Sequence, residues 1–209
     1  MPKTIGIMGK KVGMTRVYSD DGASIPVTAI EAGPCVVLQK KSVESDGYNA
    51  IQVGFDTKKG SRINKPQAGH FKVAGKGGFY HVMEFRVDDV DQYELGQEIV
   101  ATDLFNVGDL VDVSGLSKGR GFQGVIKRHG FKGGRATHGS MFHRAPGSIG
   151  CSATPAKVVK GKKMPGRMGN DLVTKKNVIV IDIRPEDNVL LLKGCLPGAR
   201  QGLLKIFTK

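Results

Sequence analysis

From Ser114 to Asn170 the chain runs for 57 residues without one Asp or Glu. The same stretch holds twelve Lys and Arg, thirteen of the 30 glycines and three of the five histidines. This segment limits the possible folds more than any other feature. Its apolar residues do not recur at a helical or strand period, and Val125–Ile126 and Val158–Val159 stand as isolated pairs. It therefore cannot build a core of its own. Twelve like charges with no counter-charge repel one another, and an external polyanion removes that repulsion. Glycine keeps such a chain pliable and lets its backbone approach another surface closely. A structureless loop of this length in a compact protein is either functional or disordered. The segment reads as an arm that contacts nucleic acid and is ordered only against its partner, rather than as a solvated basic loop.

The rest of the chain has a different character. Of the 32 Lys and Arg in 209 residues, 20 lie outside the arm, against all 19 Asp and Glu, so +12 of the net +13 belongs to the arm. The length suits one domain, or one domain with an appendage. Hydrophobic residues make up 39% and include real Val/Ile/Leu runs, which argues against a disordered chain. The glycines follow no three-residue period, which excludes collagen. No apolar run approaches the ~18 residues of a membrane span. The start, MPKTIGIMGKKVGM, lacks a long apolar stretch and reads as mature protein rather than a secretory signal. Cys35, Cys151 and Cys195 are odd in number and lack CxxC spacing, which fits a reducing cytosol.

Short β-branched runs separated by turn signals make up this remainder. Ile5–Tyr18 reads as two short strands around Gly9–Gly13, followed by a Ser-Asp-Asp-Gly turn at 19–22. Ile25–Ile30, Val36–Gln39, Ala50–Phe55, Ile99–Val100 and Leu110–Val113 read as extended. Val82–Val87 alternates apolar and polar residues, as a half-buried strand does. Val178–Ile183 and Val189–Lys193 flank Arg-Pro-Glu-Asp-Asn, a hairpin connection. No series of amphipathic helices is present to supply βαβ crossovers. The expected fold is mainly β: a split barrel body over 1–113 and 171–209, with few short helices. A smaller Gly/Lys-rich excursion lies at about 56–81, with a short helix near Gln67–Val73. The irregular basic extension spans 114–170.

Several motifs within the arm have ordinary explanations. GRGFQG at 119–124 matches GxGxxG after a strand, but dinucleotide binding needs a helix next and an acid about 20 residues on. Here the continuation breaks at Gly130, and no acid appears before Asp171. The GxxxxGK[ST] phosphate loop is absent. His129, His138 and His143 have no zinc-ligand spacing and no carboxylate nearby to orient a general base. They suit hydrogen bonds to phosphate, ribose or base edges. Cys151 sits among cations that would lower a thiol pKa, yet it reads as a small residue in a tight turn. Cys35 and Cys195 read as core. Phe122, Phe131 and Phe142 could stack on RNA bases or pin the arm to the body, and the sequence leaves both readings open.

The cations divide by chemistry. Arg makes forked contacts with phosphate, whereas Lys acts as a compact charge. Arg120, Arg128, Arg135, Arg144 and Arg167 are the candidates for geometry-specific contacts. Lys160, Lys162 and Lys163 form a phosphate-neutralising cluster, and Lys118, Lys127, Lys132 and Lys157 complete the set. Pro146, Pro155 and Pro165 stiffen the intervening chain.

SKGRGFQGVIKRHGF at 117–131, ATHGSMFHRAPGSIG at 136–150 and TPAKVVKGKKMPGRMGN at 154–170 resemble the bacterial form of large-subunit ribosomal protein three, the universal L-three family. GKKVGMTRVYSDDGASIPVTAIE near the start and KPQAGHF at 65–71 fit the same family, so the resemblance covers essentially the whole chain. It implies a split β-barrel on the ribosome surface, with an extension that penetrates the large-subunit RNA toward the peptidyl transferase centre. It also implies binding to 23S-type RNA near the 3′ end, a part in early subunit assembly, and large-subunit proteins fourteen and nineteen as neighbours. Ile149, Gly150, Cys151, Ser152, Ala153 and Thr154 would form the extension tip. Some members carry a methylated glutamine after Ser-Ile-Gly. Here Cys151 follows Ser148-Ile149-Gly150, so that modification does not carry over.

The resulting expectation is a structural RNA-binding protein with no catalytic chemistry, cofactor, metal, small-molecule substrate or membrane. An RNA-modifying enzyme that uses the arm as a substrate guide would need a cofactor or an acid–base pair, and neither is readable. An architectural DNA-binding protein is the third reading.

Overall fold

The computed structural model describes residues 5–208, so Met1–Thr4, with which the start reading begins, and Lys209 lie outside the described residues. The elements are β1 (Gly6–Tyr18), β2 (Ser24–Ala32), β3 (Cys35–Lys41), α1 (Val43–Asp46), β4 (Ala50–Lys58), a 3-10 turn (Gly60–Arg62), α2 (Lys65–Lys72), β5 (Gly78–Arg86), β6 (Glu98–Ile99), α3 (Ala101–Leu104), β7 (Leu110–Leu116), β8 (Gly121–Gln123), α4 (Val125–His129), β9 (Gly166–Met168), β10 (Leu172–Arg184), β11 (Val189–Lys193) and β12 (Leu203–Thr208). No helix among the described residues is long and apolar enough to cross a membrane. Residues up to Leu116, together with those from Leu172 onward, form one compact unit, and Ser117–Asp171 form another.

The larger unit holds a closed antiparallel barrel in the order β1-β12-β7-β10-β11-β2. The expected barrel is therefore present. Its closing strand, β12, lies in a stretch the sequence reading did not mark as extended. This strand pairs with β1 (Ile7↔Ile206, Gly9↔Leu204) and with β7 (Ile206↔Val113, Leu204↔Gly115). Cross-strand partners share a face of the sheet. The pairs Val111↔Val178, Val180↔Leu192 and Leu190↔Ile30 therefore carry the same buried layer round the ring. Glycine is required where strands crowd this layer: a Cβ on Gly115 would lie 2.5 Å from Leu204 Cδ2, and one on Gly9 would lie 2.8 Å from the Glu31 carbonyl oxygen.

β1 is one continuous strand rather than two short ones. A register shift between Lys11 and Gly13 absorbs the glycines without ending the ladder. Lys11 is buried, and its Nζ donates to the Leu196 carbonyl at 2.8 Å. Thr28 Oγ1 donates to Gly194 O at 2.6 Å and Lys175 Nζ to Cys195 O at 2.8 Å, so three strand side chains hold the loop before β12. This arrangement corrects the reading of Cys195 as core. The loop buries Leu196 instead and leaves Cys195 exposed.

The remaining runs form a separate four-stranded sheet, β5-β4-β3-β6. β3 is buried on both faces because its alternation serves two cores. Cys35 and Val37 join the main core, while Val36 and Leu38 join a second cluster with Phe71, Ala74 and Phe79. The excursion between β4 and β5 supplies the cover. Phe71 of α2 meets Phe79 edge-on, with ring centroids 5.9 Å apart. α2 begins two residues before the expected helix, and Pro66 fits its first turn. Val100 ends no strand; it caps α3, with its N–H donating to Asp103 Oδ2 at 3.3 Å.

Leu190 is fully buried in the main core. Leu190→Ala should lower unfolding stability by roughly 2–5 kcal/mol in urea titrations, from lost transfer energy and the cavity left behind. Burial pushes the Cys35 thiol up to about 12, against a weaker opposing hydrogen bond to the Met8 carbonyl. The folded protein should thus expose two thiols, Cys151 and Cys195, to a thiol reagent at pH 8, and the third only after denaturation.

Candidate nucleic-acid interface

The smaller unit begins with a clasp between its own ends. Ser117 N–H donates to Asp171 O at 2.9 Å, Asn170 N–H to Ser117 O at 3.2 Å, and Asp171 N–H to Ser117 Oγ at 3.2 Å. Arg120 N–H donates to Met168 O at 2.8 Å, and β8 and β9 pair antiparallel through Gly121↔Met168, Phe122↔Arg167 and Gln123↔Gly166. The return strand turns through Gly169 at φ 73° and Asn170 at φ 59°, left-handed positions that Gly and Asn tolerate. A Cβ on Gly169 would also collide with the Lys118 carbonyl.

α4 follows immediately. Val125 and Ile126, which the sequence presents as an isolated pair, open this five-residue helix. Gly130, at φ 73°, closes it with an N–H to Ile126 O at 2.8 Å. Lys127, Arg128 and His129 occupy the last turn, where cations complement the helix dipole. Val125 is the one buried residue in this unit. So short a helix with no acid downstream lacks the frame that a dinucleotide loop needs.

Two of the candidate residues are engaged inside the arm. Arg128 Nη1 donates to Met164 O at 2.8 Å, and His129 Nε2 lies 3.0 Å from the same oxygen. Both are half-buried and fix the return strand against α4. A second cross-tie joins Arg135 to His143. His143 Nδ1 lies 2.9 Å from the Arg135 carbonyl oxygen, and Gly134 N–H donates to His143 O at 2.9 Å. A Cβ on Gly134 would collide with the Phe142 carbonyl, which is why the chain is glycine there. The three histidines thus have separate settings, and His138 is an exposed residue at φ 58°. The sequence offers no sign of the Met164 carbonyl as a hub, because backbone acceptors leave no mark in composition.

The other candidates face outward. Lys118, Arg120, Lys127, Lys132, Arg135, His138, His143, Arg144, Lys157, Lys160, Lys162, Lys163 and Arg167 are all exposed. Lys162 N–H donates to Val159 O at 3.2 Å, a turn that holds the Lys160–Lys163 cluster. Ile149, Gly150, Cys151, Ser152, Ala153 and Thr154 are exposed as well, with Ser148 Oγ donating to Gly150 O at 3.0 Å just before them. Among the described residues the ion pairs are Lys10–Asp56, Lys41–Glu84, Lys76–Glu98 and Arg184–Asp182, and all belong to the larger unit. The arm's cations meet no carboxylate.

The aromatic residues divide. Phe131 packs near His129, with ring centroids 6.1 Å apart. Phe142 sits against Gly134 and Gly147. Phe122 is 76% exposed and paired across the ladder with exposed Arg167, so a ring and a guanidinium stand side by side on an open surface. That pairing can stack on a base and bind the neighbouring phosphate.

A family model described as Ribosomal protein L3 matches residues 65–189. The chain is 65% identical over 209 residues to the large ribosomal subunit protein uL3 of Desulfotalea psychrophila, covering all of both chains. It is 57% identical over 201 residues to that of Geotalea daltonii, covering 96% of this chain and 95% of the relative. The same coverage holds for the Geobacter sulfurreducens protein at 54% identity.

One buried side chain cannot offset backbone ordering of about 1–2 kcal/mol per residue. A free 114–170 peptide should therefore give a poorly dispersed amide NMR spectrum. A well-dispersed one would show that the arm folds alone.

Proposed function

Because this chain belongs to the ribosomal protein L3 family, we propose that its acid-free segment binds large-subunit ribosomal RNA, near the 3′ end of a 23S-type molecule, and extends toward the peptidyl transferase centre. Membership makes the protein a structural constituent of the large ribosomal subunit, working in the cytoplasmic ribosome, and not an enzyme. The rest is our reading. The body over 1–113 and 171–209 serves as a rigid base, and the 114–170 arm fills space between RNA helices during early assembly. Large-subunit proteins fourteen and nineteen are its neighbours.

One observation carries this reading: thirteen of the fifteen candidate cationic and histidine side chains are exposed, with no acid between Asp112 and Asp171. A surface of this kind gains most from a phosphate backbone, where each neutralised phosphate releases counterions. Arg120, Arg135, Arg144 and Arg167 offer forks to phosphate, and Lys157, Lys160, Lys162 and Lys163 offer point charges. A-form RNA is recognised through shape, phosphates and 2′-hydroxyls. An arm of Gly, Lys and Arg without a repeated base-reading code suits that task. Arg128 and His129 are engaged within the arm, both on the Met164 carbonyl oxygen.

Replacing 118–167 with a short turn should leave the barrel folded by circular dichroism and remove most specific binding to a large-subunit RNA fragment in a filter assay. Undiminished binding by that variant would reject the reading, and equal competition from duplex DNA at matched salt would reject its specificity for RNA.

A further inference from the structure

Arg128 stands apart from the other arginines of the arm. It is half-buried, whereas Arg120, Arg135, Arg144 and Arg167 are exposed. Its Nη1 donates to the Met164 carbonyl at 2.8 Å, across 36 positions of sequence. His129 Nε2 lies 3.0 Å from the same oxygen. A carbonyl oxygen only accepts and has two lone pairs, so both side chains donate and the acceptor is filled.

A second observation places the guanidinium independently. A Cβ on Gly166 would lie 2.6 Å from Arg128 Nη1 and 3.2 Å from its Cζ, so the guanidinium occupies the space that a side chain at 166 would take. Gly166 opens β9 and pairs with Gln123, at the end of the ribbon that precedes α4. Arg128 therefore ties the last turn of α4 to the start of the return strand. The tie closes a loop. Residues 130–163 leave just after α4 and return at Met164, and they hold seven of the arm's twelve Lys and Arg, the Lys160–Lys163 cluster among them, together with the tip at Ile149–Thr154. A loop whose ends are already held loses less freedom when it meets a partner.

We infer that Arg128 is a positioning residue for RNA binding: it fixes the ends of the 130–163 loop through Met164 and makes no phosphate contact of its own. The inference rests on the reading that the arm binds large-subunit RNA, and it takes Arg128 out of the phosphate contacts that the sequence suggests.

The test uses the full-length chain in four variants. Arg128→Met removes the donor. Gly166→Ala displaces the guanidinium but keeps every charge, and the φ of Gly166 is not positive, so its backbone accepts alanine. The third variant combines both changes. Arg167→Gln removes an exposed cation. Affinity for a large-subunit RNA fragment is measured across salt concentrations, with thermal melts to establish folding. Arg128→Met and Gly166→Ala should each weaken binding about tenfold, the scale of one hydrogen bond from a charged donor, without changing the slope of log K against log salt. Arg167→Gln should make that slope shallower by about 0.7–0.9, one phosphate contact. The double variant should bind as Arg128→Met does, because both changes remove the same contact. If Arg128→Met fails to fold, Gly166→Ala decides the question. A shallower slope in either single variant would make Arg128 a phosphate contact and overturn the inference. Additive losses in the double variant, or normal affinity in both single variants, overturn it as well, and a shallower slope in Arg167→Gln then leaves the RNA reading standing. Unchanged affinity and slope in all four overturn both.

Discussion

The antiparallel pairing of β7 with β10 is the constraint on which the rest depends. Leu116 opposes Leu172, so the 55 residues between them leave and rejoin the chain at neighbouring positions of a closed ladder. Loop-closure entropy grows only logarithmically, by about 0.6 kcal/mol per doubling of length. A long insertion is therefore tolerable if its ends are already held together. Within the insertion, the Ser117–Asp171 clasp and the β8–β9 ribbon pair its two ends with each other. The barrel keeps its hydrogen bonds, and the insertion is free to be made of residues that no core could accept.

Charge then separates the roles. In the larger unit, Lys10, Lys41 and Lys76 each have a carboxylate partner. In the arm nothing of the kind exists, and the available polar interactions shape the chain instead of neutralising it. Arg128 and His129 converge on one backbone carbonyl, and His143 on another. The remaining cations of the arm are exposed.

Much of this was legible from residue order, and particular failures show where legibility stops. Val82–Val87 read correctly as a half-buried strand because its alternation matched the pleat. Val36–Leu38 gave an unbroken apolar run that could not reveal two separate cores, because only the third dimension puts α2 on one side and the barrel on the other. β12 was missed since LLKIFT is short and follows a Gly/Pro-rich loop; its identity as a strand comes from β1 and β7 offering partners on both sides. Cys195 looked apolar by neighbourhood, yet its loop is held by backbone carbonyls, which turn Leu196 inward.

The sequence by itself determined that the chain has a β-rich body and a long cationic limb, because hydrophobic period and charge sign are properties of residue order. It also carried the resemblance to the family, through strings such as SKGRGFQGVIKRHGF at 117–131. Tertiary structure alone decided that the strands divide into a closed barrel and a separate sheet, and which basic side chains remain available. Pairing partners and carbonyl acceptors lie far apart in the chain, and the free energy of bringing them together belongs to no single segment.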